Sequence, residues 1–374
     1  MILTYKYKLY KTEKVKLLNK LLNISRNIYN HCIALHKRYY RRYKKHLNIY
    51  QLQKHLTKLK KLSKYQHWNI VPAQSIQAIT ERIDEGYKLF FKGRKNGNKH
   101  IQPPGFKSWK KFKSIPFKTT GYKFIDDSNT VMIKKKKFKY WKSREIDGDI
   151  KTMLLKKDGL GDYYVHVSLD SDLILNTSAT GKTGGCDFGL KTFVKTSDDT
   201  DIVSPLPLFN NLNKLKAASK KLSSKVKGSN NRNKAKLNLI RVHKKVTNQR
   251  TDFHFKAANQ LFKHFDEIKF EDLNLKGMQK LWGRKINDLG FANFINIIQI
   301  QSKKYLHKSI KFIDKFYPSS KMCSKCKNIK EGLSLKDRVY HCLKCGLIID
   351  RDLNAALNIR DYTEMGHRLS GEIL

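Results

Sequence analysis

The sequence predicts an α/β part that follows α-helical and all-β parts, and three observations indicate this division. Apolar residues recur at intervals of three and four before residue 92, which is typical of amphipathic helices. From about 106 to 170, short segments rich in β-branched and aromatic residues follow one another. Beyond residue 181, short apolar strands alternate with longer helical stretches, which is the pattern of an α/β fold.

The first half opens with a predicted strand and continues with two amphipathic helices. ILTYKYKLY at 2–10 alternates in the manner of a half-buried strand. The first helix carries one apolar face, formed by Val15, Leu18, Leu21, Leu22, Ile28, Tyr29 and Cys32. The second begins after Pro72, and its apolar stripe is formed by Ile76, Ile79, Ile83, Tyr87 and Phe90.

The second half is predicted to alternate strands, turns and helices. GKTGG at 181–185 indicates a hinge or loop, because glycine favours irregular backbone. After it, CDFGLKTFVKTS indicates two strands joined by a tight turn at Gly189. The remaining predicted elements are a basic helical stretch at 211–265, a strand at 266–273, a helix at 292–310 and a strand at 311–317.

The charge balance indicates a nucleic-acid partner. Lys and Arg number 78 against 31 Asp and Glu, which gives a formal net charge of +47. Apolar residues make up 40% and aromatic residues 11%, so the chain is not a disordered polycation. A folded chain this basic repels itself unless phosphates neutralise it. A source organism whose proteins are all rich in Lys would explain part of the excess of positive charge, but not all of it.

Neither a membrane span nor a secretory leader is predicted. No apolar run approaches the roughly 20 residues that cross a bilayer, and the first residues lack the apolar core of a signal peptide. We therefore expect a soluble, intracellular protein with no membrane partner. Six cysteines, four of them in two pairs, do not form a disulfide framework. The other two, Cys32 and Cys186, stand among apolar residues and are predicted to be packing residues.

Four cysteines predict a structural zinc site. Cys323 and Cys326 form one C-x-x-C pair, Cys342 and Cys345 form a second, and 15 residues separate the pairs. Each pair forms a knuckle that presents two thiolates to a tetrahedral ion, and the spacing is typical of a zinc ribbon. Because four thiolates fill the coordination sphere, no position remains for water. The zinc is therefore expected to be structural and not catalytic.

Acidic residues stand out where they interrupt apolar segments of this acid-poor chain. Asp187 lies in the strand GGCDFGL and Glu271 ends the strand EIKFEDL. Asp350 and Asp352 begin the helix of LIIDRDLNAALNI. A buried acid costs free energy unless it is paired or binds a cation, and carboxylates suit Mg²⁺ or Mn²⁺. Each acid also has a structural explanation, as a turn residue, a lysine partner or a helix cap.

Several segments around these acids match one known family. The order of the acids resembles the RuvC/RNase H-like nuclease core, in which two strand-borne acids and a helix-borne Asp meet over a sheet. The chain more specifically resembles the TnpB (OrfB) family of insertion-sequence proteins, which is related to the type V CRISPR effectors. The resemblance is carried by GCDFGLKTF at 185–193, EDLNLKGM at 271–278, YPSSKMCSKC at 317–326, DRVYHCLKCG at 337–346 and DRDLNAALNI at 350–359.

The first half of the chain also resembles this family, but its matching segments are less specific. Its segments are RNIYNHCIALHK at 26–37, VPAQSIQAITERIDEGYKLFF at 71–91 and PPGFKSWKKFKS at 103–114. The resemblance therefore spans nearly the whole chain. One departure is Cys186, where the family usually has Ile or Val, and this is a conservative change in an apolar strand.

The resemblance also implies a division into four parts. Residues 1–10 and 103–178 are expected to form an oligonucleotide-binding-type β-barrel, or wedge domain. A helical recognition lobe at 11–102 splits that barrel. Residues 179–318 and 348–374 are expected to form the RuvC-like nuclease domain, into which the zinc ribbon at 319–347 is inserted.

Catalytic roles come from the resemblance too. It implies Asp187, Glu271 and Asp352 as the catalytic acids that hold two Mg²⁺ or Mn²⁺ ions. In the related effectors the catalytic Asp lies two residues before an Asn, which here is Asn354, and this spacing indicates Asp352. Asp350 is therefore expected to cap the helix or support the site. Arg338 either reaches the scissile phosphate or stabilises the ribbon.

The implied activity is that of an RNA-guided DNA endonuclease encoded by a transposable element. It would bind a guide RNA from the transposon end, recognise a short motif beside the target and open double-stranded DNA by guide pairing. It would then cut both strands by two-metal-ion hydrolysis. One protein molecule per guide RNA is expected, in the prokaryotic cytoplasm at the nucleoid, or in a host nucleus if a virus or eukaryote carries the element.

Three other functions are open to the same sequence. The first is a nuclease-inactive, guide-dependent DNA-binding repressor, against which the intact acids argue. The second is a transposase-type DNA strand transferase, which would join DNA without RNA. The third is a structure-specific resolvase, which would act as a dimer and would not need a long recognition lobe.

Overall fold

The computed structural model describes residues 2–125, 128–171, 174–175, 178–334 and 337–363. The chain forms two compact units, Met1–Leu173 and Ile174–Leu374, and each has its own apolar core. None of the described helices is both long and apolar enough to span a membrane.

The described helices of the first unit follow the apolar stripes of the sequence. They are α1 Val15–Tyr43, α2 Ile49–Leu59, a 3₁₀ helix Ser63–Ile70 and α3 Ala73–Lys95. Most residues of the two predicted stripes are buried in α1 and α3, while Val15, Tyr87 and Phe90 are half-buried. Helix α2 was not predicted, although Asn48 and Gln51 form a capping box at its start, a signal that the sequence carries.

The strands of the first unit form two antiparallel sheets. They are β1 Ile2–Lys8, β2 Ser114–Phe117, β3 Tyr122–Ile125, β4 Thr130–Ile133, β5 Lys136–Lys139, β6 Asp149–Lys157 and β7 Tyr163–Asp170. One sheet has the order β1-β7-β6-β2 and the other β3-β4-β5. Strand β1 pairs along its whole length with β7, so the first strand joins the later β segment. A bridge between Leu9 and Tyr140 links the chain beyond β1 to the chain beyond β5.

The second unit combines a mixed sheet, a two-stranded ribbon and helices. Its strands are β8 Thr183–Asp187, β9 Val194–Thr196, β10 Asp201–Ile202, β11 Glu267–Glu271, β12 Ser309–Ile313, β13 Val339–His341 and β14 Ile348–Asp350. Its described helices are α4 Pro207–Asn210, α5 Leu212–Ser223, α6 Asn230–His264, α7 Leu275–Leu289, α8 Phe291–Ser302 and α9 Arg351–Asp361. The mixed sheet has the order β10-β9-β8-β11-β12, with β8, β11 and β12 parallel and the other pairs antiparallel.

The prediction of a hinge or loop at 181–185 is wrong for Gly184 and Gly185. Both glycines lie inside strand β8 and are buried. A Cβ at Gly184 would overlap the ring of Phe265, and a Cβ at Gly185 would overlap the backbone of α9 at Ala356 and Arg360. Here glycine therefore serves close packing of helix on strand and not a change of chain direction.

The helix predicted at 292–310 is shorter in the structure. Helix α8 ends at Ser302, and residues from Ser309 onward form β12 beside β11. The buried Lys308 ammonium donates to the carbonyl of Phe265 at 3.1 Å and pairs with Asp266 Oδ1 at 2.7 Å. These bonds join the start of β12 to the start of β11. Helix propensity depends on the local sequence and does not predict such long-range contacts.

Replacing Gly185 with alanine should destabilise the second unit. The new methyl group would meet helix backbone, which cannot rotate away as a side chain can. We expect a loss of about 3 kcal/mol, or roughly 6–12 °C in the thermal midpoint of a unit of this size. Scanning calorimetry measures the shift. The matched control is Gly332→Ala, whose Cβ would lie in open space, and a drop as large as that of Gly185→Ala would contradict this interpretation.

Candidate active site and metal centre

The four predicted zinc ligands converge in the loops that flank β13 and β14. Their sulfur atoms all lie within 4.8 Å of one another. Cys323 Sγ lies 3.6 Å from Cys345 Sγ, and Cys326 Sγ lies 3.5 Å from Cys342 Sγ. Such separations suit four thiolates around one tetrahedral ion with Zn–S bonds of about 2.3 Å. The donor set therefore fits a zinc ion with no position left for water.

Backbone N–H groups of the second knuckle favour the thiolate form. The N–H groups of Cys345 and Lys344 help to lower the pKa of the Cys342 thiol to about 6. Burial raises the pKa of the Cys32 thiol to about 12. Cys32 and Cys186 lie in the apolar cores of the two units, which confirms their prediction as packing residues.

The three predicted acids line one cavity of about 480 Å³. Asp187 is the last residue of β8 and Glu271 is the last residue of β11. Because these strands are parallel neighbours, their carboxyl ends meet at the same edge of the sheet. Asp352 lies in the first turn of α9, which packs on β8. The topology therefore brings together residues that are far apart in sequence.

Electrostatics within this cavity oppose ionisation of Asp187 and Glu271. Burial, followed by the carboxylates of Asp352 and Glu271, raises the pKa of Asp187 well above its ordinary value. The Arg351 guanidinium acts in the opposite direction. Burial and the neighbouring Asp272 also raise the pKa of Glu271. Carboxylate oxygens are the donors that Mg²⁺ and Mn²⁺ prefer, and a divalent cation bound there would reduce this repulsion. Among the described residues, however, the four cysteines are the only group of three or more possible ligands whose atoms all lie within 4.8 Å of one another.

Asp350 and Asp352 have different positions at the start of α9. Asp350 is the N-cap residue, and its Oδ1 accepts from the N–H groups of Asp352 and Leu353 at 2.9 Å each. Asp352 lines the cavity, whereas Asp350 is not among the lining residues. The expected cap at Asp350 is therefore present.

Two buried asparagines join α9 to the first cysteine knuckle. Asn354 accepts from the N–H of Ser324 at 2.9 Å and donates to the carbonyl of Met322 at 2.7 Å. Asn358 donates to the carbonyls of Met322 and Ser319 at 2.6 and 2.9 Å. Both side chains are fully buried, so loss of these bonds would leave polar groups unpaired. The fold of the zinc ribbon and the position of Asp352 are thus coupled.

Cations surround the acids in the same cavity. Lys191, Lys321 and the predicted Arg338 line it with exposed side chains. Arg351 also lines it, and its Nη2 lies 3.4 Å from Asp352 Oδ1. Arg351 was not predicted from the sequence, although its position between two acids in DRD is a signal that the sequence carries. Carboxylates can hold metal ions and the neighbouring cations can bind a phosphate, so this cavity suits both ligands at once.

Family models match two parts of the chain. The OrfB model of IS605-type elements, described as "Probable transposase", matches residues 164–281. A model described as "Cas12f1-like, TNB domain" matches residues 291–359, which include the four cysteines and α9.

Curated relatives include bacterial and viral proteins. The chain is 26% identical over 361 residues to a Streptomyces pristinaespiralis protein named "Putative RNA-guided DNA endonuclease", covering 95% of this chain and 88% of that one. It is 32% identical over 192 residues to "TnpB-like protein L79" of Acanthamoeba polyphaga mimivirus, covering 47% and 36%. It is 25% identical over 258 residues to "Putative RNA-guided DNA endonuclease InsQ" of Escherichia coli strain K12, covering 68% and 62%.

Solved structures show the same fold at low sequence identity. A Cas12f1 chain from a complex with sgRNA and target DNA matches with a TM-score of 0.59 and 16% identity, over 94% of this chain and 83% of that chain. The mini RNA-guided endonuclease Cas_phi3 matches with a TM-score of 0.53 and 10% identity, over 96% and 92%. The chain therefore has a Cas12f-like fold of mixed α and β content.

Replacing Cys323 with serine should remove zinc and weaken α9. The remaining three thiolates bind zinc less tightly, and the loop held by Asn354 and Asn358 then loses its anchor. We expect zinc content to fall below half an equivalent by elemental analysis, with hydrogen exchange in 351–361 increasing in parallel. Cys32→Ala is the control because it lies outside the cluster. A Cys323→Ser protein with unchanged exchange in α9 would contradict the coupling.

Proposed function

We propose that this chain, which belongs to the TnpB (OrfB) family related to the type V CRISPR effectors, is an RNA-guided DNA endonuclease. The observation that carries the proposal is the cavity shared by Asp187, Glu271 and Asp352. The names of the Streptomyces and Escherichia coli relatives support a guided nuclease activity. The chemistry assigned to the acids is metal-dependent hydrolysis of a phosphodiester.

The proposed domain arrangement draws support from the sheets. The order β10-β9-β8-β11-β12, with three antiparallel strands continued by parallel ones, suits a RuvC/RNase H-like core at 179–318 and 348–374. The four-cysteine ribbon at 319–347 would be an insertion in that core. The β1–β7 pairing and the Leu9–Tyr140 bridge support a barrel formed by 1–10 and 103–178, with the recognition lobe at 11–102.

In the proposed reaction, Asp187, Glu271 and Asp352 hold two Mg²⁺ or Mn²⁺ ions at the ends of β8, β11 and the start of α9. When bound, such ions activate a water and stabilise the leaving oxygen of a phosphodiester. Arg338, Lys191 and Lys321 bind non-bridging phosphate oxygens beside the acids. The expected products carry 5′-phosphate and 3′-hydroxyl ends.

The proposed partners are a guide RNA from the transposon end and double-stranded target DNA. The formal charge of +47 suits a small protein that holds an RNA and an opened DNA duplex together. Guide pairing reads most of the target, while the protein reads a short motif beside it. One protein molecule per guide RNA is the proposed stoichiometry.

Substitution of each acid should abolish cutting without loss of RNA binding. Asp187→Ala, Glu271→Ala and Asp352→Ala each remove a metal ligand, which is worth several kcal/mol in the transition state and thus about 10³-fold in rate. The protein is purified with its co-expressed RNA, which is sequenced, and is assayed with Mg²⁺ and matched plasmid. Guided binding without cutting by the wild type would favour the repressor, and joined DNA products would favour the strand transferase.

A matched pair of isosteric changes tests the choice of the third acid. Asp352→Asn should abolish cutting, because it neutralises a metal ligand. Asp350→Asn should cut at a rate within about three-fold of wild type, because an amide oxygen still caps the helix. The reverse result would make Asp350 the third catalytic acid.

Divalent ions should stabilise the wild type and not the Asp187→Asn variant. At an ion concentration 100 times Kd, the stabilisation is about 2.7 kcal/mol. Without added ion, Asp187→Asn should unfold at the wild-type temperature or above it, because the change removes a buried, repelled charge. Calorimetry with and without Mg²⁺ measures both effects, and an equal response of the two proteins would exclude Asp187 as a ligand.

A further inference from the structure

A pair of histidines joins helices α1 and α2 of the first unit. His31 of α1 and His55 of α2 face each other with their Nε2 atoms 3.1 Å apart. The ring centres lie farther apart, at 5.4 Å, and the ring planes differ by only 7°, so the rings meet nitrogen to nitrogen and do not lie face to face. Such a contact is a hydrogen bond with one proton, which one neutral ring donates and the other accepts.

A second proton on the facing nitrogens would break this contact. If both rings carried a proton on Nε2, two N–H donors and two positive charges would face each other at 3.1 Å. Burial, the neighbouring His55 and Arg38 lower the pKa of His31, and burial and Arg38 lower the pKa of His55. The contact therefore favours the neutral form of both rings.

The surroundings of this pair do not compensate a positive charge. Tyr65 and Trp68 of the 3₁₀ helix place their ring centres 6.0 and 5.4 Å from that of His31. The charged side chain that acts on both histidines is a cation, Arg38. Within the part of the chain that the structure describes, neither histidine forms an ion pair with a carboxylate.

A neighbouring pair of histidines has a carboxylate beside it. His36 of α1 and His46, which precedes α2, have ring centres 5.1 Å apart, and the ring of Tyr87 packs against both. His46 Nε2 lies 3.8 Å from Asp84 Oδ1, and the other oxygen of Asp84 lies 2.8 Å from the Lys88 ammonium. Burial and His46 lower the pKa of His36 to about 4, although Asp84 acts in the opposite direction. Asp84 therefore compensates a charge on this second pair, unlike on the first.

Helix α2 depends on its tertiary contacts because it is short. It has 11 residues, and an isolated helix shorter than about 12–15 residues is only marginally stable in water. It buries two side chains, Leu52 and Leu56, and Gln53 donates to the Thr80 hydroxyl of α3 at 3.0 Å. The bond between the two facing histidines joins it to α1. Loss of that bond should therefore open α2 locally while the rest of the unit stays folded.

We propose that the His31–His55 pair is a proton-controlled latch, which holds α2 on α1 while both rings are neutral and releases α2 when both are protonated. On release, each histidine regains an ordinary pKa of about 6.5, so below that pH the open form takes up about two protons. Opening is therefore favoured as the pH falls below about 6.5, and the effect levels off below the pKa values of the closed pair. The latch lies in the proposed recognition lobe and does not depend on nuclease activity.

Hydrogen exchange of the full chain, measured as a function of pH, tests the latch. After correction for intrinsic exchange rates, the opening constant of 49–59 should rise by up to about 100-fold per pH unit below about pH 6.5, because two protons are taken up. His55→Gln removes one titrating group, and its amide can still bond to His31, so the rise should fall to about ten-fold per pH unit or less. His67→Gln is the control, because His67 is exposed and lies outside the pair. It should keep the wild-type slope.

Nitrogen chemical shifts of the two imidazole rings test the pair without any substitution. At neutral pH, the wild type should show two neutral rings of opposite tautomer, one protonated on Nε2 and the other on Nδ1. Both rings should become doubly protonated over the pH range in which exchange of 49–59 increases. The same tautomer in both rings at neutral pH would overturn the proposal. So would a His55→Gln slope equal to that of the wild type, or an increase in exchange that is uniform over the first unit.

Discussion

The direct contact between α9 and β8 is the constraint on which the geometry of the acidic cavity depends. Gly185 leaves no side chain between the strand and the helix backbone at Ala356 and Arg360. The distance between the two elements is therefore set by backbone atoms, which are less adaptable than side chains. Asp187 follows Gly185 by two residues, and Asp352 precedes Ala356 by four. The close packing thus fixes the separation of two of the three acids.

Further contacts prevent α9 from sliding along the strand. At its first turn, the Asp350 carboxylate accepts two backbone N–H groups. At its last turn, the Lys269 ammonium donates to the carbonyls of Arg360 and Tyr362 at 2.8 Å each, which matches a cation to the negative end of the helix. Asn354 and Asn358 attach the remaining face to the cysteine knuckle. The helix is therefore held at both ends and along one side.

The parts that sequence predicted best are those with local signals. Two C-x-x-C pairs at ribbon spacing predicted a cluster that the structure brings within 4.8 Å. Residues whose role depends on distant neighbours were not predictable in this way. Gly184 and Gly185 suggested a hinge because their partners, Phe265 and α9, lie some 80 to 170 positions later. Arg351 stands between two acids in DRD, but only the tertiary fold shows that it lines the cavity. Only a catalytic measurement decides whether Asp350 or Asp352 is the third catalytic acid, so the assignment of Asp352 stays a prediction.

Burial and mutual repulsion of the acids in the cavity cost folding free energy, which zinc binding at the four cysteines would help to offset. Burial and mutual repulsion raise the pKa of Asp187, so at neutral pH its ionised form disfavours the folded state. Two of the acids lie on sheet strands, whereas Asp352 lies on a helix, so repulsion between the carboxylates acts against the packing of α9 on β8. Zinc binding to four thiolates contributes folding free energy of about 10 kcal/mol in small ribbons, because the unfolded chain has no preformed site. Through Asn354 and Asn358, zinc bound at the four cysteines would help to hold α9 against this repulsion. A zinc ion bound by the four cysteines would therefore add to the contacts that keep Asp352 beside the other two acids.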